Sequence, residues 1–458
     1  MVLKLPTYTL LLLAPCISWG QVQSSLRLPN APSASHAVVA AAQTASTTDA
    51  PALLTRQQAE AIALSNNPRI RIGQLLANVQ HQVVRETRSG ELPDLSGNLT
   101  AVQAEEASRI SAGSLTSSRL LQHAGMGVQV NQLITDFGHT QNLVASAKLN
   151  EKARLADAEA SREDIVLATD QVFYQAIEAQ ATLKVAVQTV AARQTLVDQV
   201  SALTSAKLKS DLDLSFAQVN LSEAKLLQLD AQNNLDAAKA SLDAVLGYDR
   251  PTNYTLVPGA DTLAAMPPDV APLIASAIQN RPDLQSLQWS EQSARKYSRA
   301  QHEQFLPTIS ALGTVGKTSV GSSQYFPTNW YGAVGVNMSV PIFNGFRYSA
   351  EASRASLEAK AATERTRELR DQVVRDVRTA WLNANTALQR VTVTDELQRQ
   401  ANLALNLAQT RYQLGLSSIV ELSQAQLQQT QAAISNANAR SQYGFAMSDL
   451  RFQAGVQP

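Results

Sequence analysis

The chain has 458 residues, with 38 basic and 38 acidic side chains, so its formal net charge at neutral pH is zero. A polyanion binder needs a basic excess or stripe, so this balance argues for no nucleic-acid partner. Charged residues make up 17% and aromatics 5%, whereas an average soluble domain is about 25% charged. Ala, Gln, Leu, Ser and Thr fill the middle of the chain, which suits long helices packed through small side chains.

Lys4, the apolar run from Tyr8 to Pro15 and the small-x-small triplet Ser18-Trp19-Gly20 predict a signal peptide over residues 1–20. That run is too short to span a bilayer as a helix, and no other stretch approaches about 20 apolar residues. Any membrane-spanning part must then be a β-barrel. Cys16 is the only cysteine, so an intrachain disulfide is impossible. It follows Leu13-Ala14-Pro15, which makes lipidation of Cys16 the alternative to cleavage after Gly20, although Pro15 stands where a small residue is expected. Residues 21–52 are rich in Ala, Ser, Thr and Pro without periodicity and read as an unstructured leader. Order begins at Leu54-Thr55, with Thr55 capping a helix from Arg56.

From there the chain repeats itself. Asn67-Pro68 returns as Arg281-Pro282 and Leu92-Pro93 as Leu306-Pro307, both at an offset of 214. Gln132-Leu133-Ile134 faces Val340-Pro341-Ile342, Ala217-Gln218 faces Ala425-Gln426, and Gly247 faces Gly455, all at an offset of 208. The reading is two structural repeats, residues 53–262 and 263–458, with the six-residue slip between about 95 and 127.

Each repeat runs in the same order: a helix of about 12 residues before the Pro break, a second helix up to the Leu-Pro pair, then two alternating stretches. Leu95, Gly97, Leu99 and Ala101 alternate with Ser96, Asn98 and Thr100, and Val128 and Val130 with Gln129 and Asn131. Ile309, Ala311, Gly313 and Val315, then Val334, Val336, Met338 and Val340, do the same in the second repeat. Period two with apolar against small polar residues fits membrane barrel strands; a soluble half-buried sheet is the other reading.

Beyond the strands, no Gly or Pro occurs between His139 and Leu246 or between Phe346 and Leu414. A helix from about 140 to 206 would be roughly 100 Å long. Val172, Ala176, Ala179, Leu183, Ala186, Val190, Val197 and Val200 recur at spacings of three, four or seven, as do Val377, Trp381, Ala384, Leu388 and Val391, and then Ala401, Leu405, Ala408 and Tyr412. Such a coiled-coil seam of small residues lets helices approach closely. Four short strands cannot close a barrel alone, and an open edge is not viable in lipid, so the chain must oligomerise. Two copies give eight strands, whose interior side chains fill; three give twelve, which leave a lumen.

Three local motifs stand in this duplicated order: Leu64-Ser65-Asn66-Asn67-Pro68, Val340-Pro341-Ile342-Phe343-Asn344-Gly345, and Arg411-Tyr412-Gln413-Leu414-Gly415-Leu416-Ser417-Ser418 followed by Glu421. With them the chain resembles the TolC-like outer-membrane efflux proteins (outer-membrane factors) over nearly all of residues 54–455. The resemblance implies a mainly α fold with membrane β: a homotrimer with a twelve-stranded barrel in outer-membrane lipid above a twelve-helix periplasmic tunnel. It also implies a passive exit duct of a tripartite efflux pump or type I secretion system. The implied partners are a periplasmic adaptor (membrane fusion) protein and an inner-membrane RND, ABC or MFS transporter.

The resemblance further implies that Leu414, Gly415, Leu416, Ser417 and Ser418 form an adaptor-docking tip. Gly415 suits a sharp reversal after a long helix, where positive φ is wanted. Lys207 to Leu214 contain no Gly, which predicts a first tip shaped or docked differently. Glu421 and Gln424 fall where relatives carry acids around the periplasmic mouth. Tyr412 matches a position that holds the mouth closed, with Ser417 in place of a possible Arg partner, and Asp213 corresponds to Glu421 in the first repeat. Tyr325, Phe326, Trp330 and Tyr331 cluster before the last strand as a membrane-interface aromatic anchor.

No residue pattern points to chemistry. The histidines, His36, His81, His123, His139 and His302, lack metal spacing, and there is no phosphate loop or nucleophile elbow. The chain is therefore read as a non-enzyme without catalytic, cofactor or metal residues. The alternative function is a periplasmic coiled-coil adaptor or scaffold, which would need no paired barrel strands.

Overall fold

The computed structural model describes residues 52–103, 111–112, 115–116, 122–250, 252–257, 265–320 and 330–456. The signal region with Cys16, the leader up to residue 51, and Tyr325 and Phe326 lie outside the described residues. A short strand β1 (Ala52–Leu54) leads into α1 (Arg56–Asn66). Thr55 caps α1 by a reciprocal capping box with Gln58, which satisfies two otherwise orphan backbone donors. Asn67 is then extended, with ψ 123°, and α2 (Pro68–Ser89) starts on the proline. Proline excludes the helical region for the residue before it, so the break is written in the sequence.

Next come β2 (Asp94–Gln103), the two-residue strands β3 (Ser111–Ala112) and β4 (Leu115–Thr116), and β5 (Gln122–Thr135). Helix α3 (His139–Ser205) has 67 residues and runs about 100 Å at 1.5 Å per residue. It turns into α4 (Asp211–Leu246), and a three-residue strand β6 (Tyr254–Leu256) pairs in parallel with β1. The order then recurs: α5 (Ala271–Asn280), an extended Arg281 with ψ 123°, α6 (Pro282–Glu303), β7 (Thr308–Val320) and β8 (Trp330–Ser339). Helix α7 (Arg347–Gln413) again has 67 residues, and α8 (Ile419–Gln453) ends the fold. The β1–β6 pair and the small β3–β4 pair were not anticipated, and Ala52, assigned to the leader, belongs to β1.

The larger sheet has strand order β2-β5-β7-β8, antiparallel throughout, so each repeat supplies one hairpin and β5 pairs with β7 across the repeats. Its outer strands, β2 and β8, are open edges. Below the sheet α3 pairs with α4, α7 with α8, and α3 with α8, which leaves α4 and α7 at the margins of the helical layer. Among the described residues no helix is long and apolar enough to cross a membrane.

Small residues set the closeness of this packing. A methyl group on Gly444 of α8 would come within 2.3 Å of the Tyr174 ring on α3. Ser146 of α3 and Ser293 of α6 exchange hydrogen bonds, each hydroxyl donating to the other's carbonyl at 3.0 and 2.8 Å. The proposed seam is buried at Ala176, Ala186, Val200, Val377, Ala384, Val391, Ala401, Ala408 and Tyr412. The bulk of the α3 core, however, is Phe173, Tyr174, Ile177 and Leu196, one or two positions off the stripe read from the sequence.

Candidate functional site

The two helical hairpins end in tips of the same backbone form. After α3, Lys207 takes φ +61°; after α7, Gly415 takes φ +72°. At the first tip the Lys207 and Leu208 amides donate to the Thr204 and Leu203 carbonyls at 2.9 and 2.8 Å. At the second, the Gly415 and Leu416 amides donate to Tyr412 and Arg411 at 3.1 and 2.8 Å. This is one helix-ending hydrogen-bond pattern used twice. Ser210 and Ser418 then cap α4 and α8, accepting from the amides of Asp213 and Glu421. The expectation of a differently shaped first tip is corrected: a lysine carries the left-handed residue that glycine carries in the second.

Both tips also expose a pair of leucines. Leu414 and Leu416 stand exposed at the second tip, Leu208 and Leu212 at the first. Inside, one apolar cluster joins both hairpins: Leu196, Val200, Ala217, Ala408, Ile419 and Leu422, with Tyr412 among them. Burial, and then the Asp213 carboxylate, push the Tyr412 hydroxyl above its ordinary range. Its ring lies under the Lys209 ammonium, 4.4 Å from the centroid, a cation–π contact between the tips that the sequence reading missed. The hydroxyls of Tyr412 and Ser417 are buried without a hydrogen-bond partner.

The acids expected at the mouth are both locally engaged. Asp213 accepts from the Ser210 amide and hydroxyl at 3.3 and 3.0 Å. Glu421 pairs with Arg411 at 3.4 Å, with both side chains about half exposed. Such an exposed pair is worth about 1 kcal/mol or less. Arg411, Glu421 and Gln424 line an open groove of about 610 Å³ between α7 and α8. The tip, the groove and the mouth positions therefore form one continuous surface at the end of the helices.

At the other end, the register of the sheet sorts its residues by face. Leu95, Val130, Gly313 and Val334 lie in one row, Gly97, Val128, Val315 and Gly332 in the next, and Leu99, Met126, Lys317 and Trp330 in the third. Apart from Lys317 this face is apolar, and it is bare: Leu99 is 83% and Val334 92% exposed. The opposite face carries Ser96, Gln129 and Thr314 in one row, and Asn98, Gly127, Gly316 and Tyr331 in another. Trp330 and Tyr331, read together as an interface anchor, fall on opposite faces. Tyr331 lies across two glycines, with its hydroxyl 2.7 Å from where a Gly316 methyl group would stand.

Exposed aromatics also gather where strands meet helices, a group the sequence reading did not select. Phe137, Phe305, Phe343 and Phe346 are all exposed, and the last two rings meet edge-on at 5.5 Å. Phe346 and Phe137 take φ +67° and +56° beside Gly345 and Gly138. The signal available was the repeated Phe/Gly pair at an offset of 208.

A sheet bare and apolar on one face, polar on the other, and carried on helices about 100 Å long defines a membrane-channel subunit with a long helical duct. The sequence model of the family described as outer membrane efflux protein matches residues 61–248 and 273–456. The chain belongs to this family of outer-membrane efflux channels. It is 22% identical over 404 residues to the outer membrane protein TolC of Salmonella enteritidis, covering 85% of this chain and 80% of that one. Among solved structures, CusC superposes with a TM-score of 0.77 at 18% identity, covering 88% of this chain and 92% of CusC. The Campylobacter jejuni CmeC outer membrane channel gives 0.75 at 17%, covering 88% and 85%. At these identities the likeness to solved structures speaks for the fold.

Proposed function

We propose that this chain is one third of a passive homotrimeric exit duct in the outer membrane. Three copies close twelve strands into a barrel, β8 of one copy pairing with β2 of the next, and twelve helices continue it through the periplasm. The carrying observation is the four-stranded sheet with two open edges and one bare apolar face, because neither an edge nor a polar backbone is tolerated in lipid unless the sheet closes. The apolar rows face lipid and the polar rows the lumen. Trp330 marks one membrane boundary, and the phenylalanines at the strand–helix junctions mark the other.

The two halves, residues 53–262 and 263–458, arise from an internal duplication. Every described residue with positive φ supports this, in four pairs at an offset of 208: Phe137/Gly345, Gly138/Phe346, Lys207/Gly415 and Gly247/Gly455. The tip Leu414–Ser418 docks a periplasmic adaptor (membrane fusion) protein. An inner-membrane RND, ABC or MFS transporter supplies the energy. Tyr412, Asp213 and Glu421 set the periplasmic mouth, with Gln424 beside them in the α7–α8 groove.

The test is single-channel recording on protein purified in detergent. A trimer that forms cation-selective channels is expected, with Glu421→Gln lowering the selectivity and leaving trimer yield intact. A monodisperse monomer without detergent would overturn the duct. Unchanged selectivity would instead move the ring to Asp213.

A further inference from the structure

Arg56 and Glu60 of α1 and Asp170 of α3 are buried together, at 7%, 7% and 3% exposure. One guanidinium nitrogen of Arg56 bonds Glu60 and reaches Asp170 Oδ2 at 3.2 Å. The other carboxylate oxygen, Asp170 Oδ1, is sealed from solvent and has no donor when both acids are ionised. A buried acceptor left without a donor costs free energy. A donor from within the cluster would satisfy this one. One nitrogen of Arg56 holds the Glu60 and Asp170 carboxyls side by side, and between two carboxyls only a protonated one can donate.

The second repeat shows that the contact does not need charge. At the offset of 214, Val270 and Ile274 stand for Arg56 and Glu60, and they pack with Ala277, Val373 and Val377 as an apolar cluster. Buried ionic clusters are often no more stabilising than apolar side chains of the same volume. Packing alone therefore does not explain the charged version.

We propose that Arg56, Glu60 and Asp170 form a one-proton lock between α1 and α3. Glu60 holds the proton and donates it to Asp170 Oδ1. Its loss in alkaline medium leaves two buried carboxylates side by side on Arg56 and loosens α1. The groups facing Glu60 are Arg56 on its own helix, Asp170 on α3 and Arg451 from α8; α4 packs there through Leu242 and Leu246. Asp170 also borders a cavity of about 150 Å³ whose lining carries Glu159, Arg162 and Glu163. Burial, and then Asp170, push the Glu60 carboxyl from its ordinary 4.5 up to about 8. Because the folded state holds the proton more tightly than the unfolded chain, the stabilisation is full below about 4.5. It is lost as pH rises through about 8.

The experiment compares Glu60→Gln with wild type as full chains in detergent, measuring the melting temperature from about pH 4.5 to about pH 9. The two should coincide at the acid end. The variant should then gain as pH rises, by up to about tenfold per pH unit in the unfolding equilibrium, until the difference levels off near pH 8. An infrared band of a protonated carboxyl at neutral pH should be present in wild type and absent in Glu60→Gln. A pH-independent stability difference, or no such band, overturns the lock. If Glu60→Gln does not assemble, the apolar replacement Arg56→Val/Glu60→Ile/Asp170→Leu takes its place in both measurements. The same two outcomes decide.

Discussion

Lys207 and Gly415 occupy one turn twice, at φ +61° and +72°. A side chain in this region costs about 1–2 kcal/mol relative to glycine. Lys207→Gly should therefore stabilise the first tip by about 1 kcal/mol, and Gly415→Ala should destabilise the second by the same order. Hydrogen exchange of the tip amides reads both. A Cβ on Gly415 would meet nothing within 4 Å in this chain, and Lys207 shows that the turn accepts a side chain. A bulky Gly415→Trp should thus leave trimers in the membrane and abolish export through lost docking. Export that continues unchanged would remove the tip from the docking surface.

Between elements, α3 packs against both α6 and α8, which joins the two repeats. Tyr174 of α3 occupies the space a side chain on Gly444 would need, and Tyr443 beside it is fully buried. Gly444→Ala should cost about 1–3 kcal/mol by overpacking, read as a lower melting temperature. Pairing it with Tyr174→Leu, which vacates the space, should recover most of the loss. If the double variant is no more stable than Gly444→Ala, the ring is not what limits this approach.

Among the described residues, unpartnered surface stands at both edges of the sheet and along α4. Strands β2 and β8 are open, and α4 exposes Leu212, Phe216, Val219, Leu226 and Leu229 along its length. A contiguous apolar stripe on a marginal helix is an association surface. Phe216→Asp should therefore shift detergent-purified protein from trimer towards monomer, as measured by light scattering, without unfolding the hairpins by circular dichroism. A trimer as resistant as wild type would place the α4 stripe outside the interface.

Much of this architecture was legible from local rules. The proline breaks, the Thr55 cap and the 67-residue helices follow from steric exclusion, capping chemistry and the absence of Gly and Pro, all of which act within a few residues. Period-two alternation likewise marked the strands before their partners were known. Tertiary structure alone decided what depends on distant neighbours. Register put Trp330 and Tyr331 on opposite faces, because adjacent strand residues alternate and only pairing says which face meets what. The lysine at the first tip takes the conformation that glycine takes at the second, above the cluster that joins both hairpins, which the preference of a lysine side chain by itself disfavours. The Arg56–Glu60–Asp170 cluster joins side chains more than a hundred residues apart, and nothing in the spacing of those three along the chain announces that they meet.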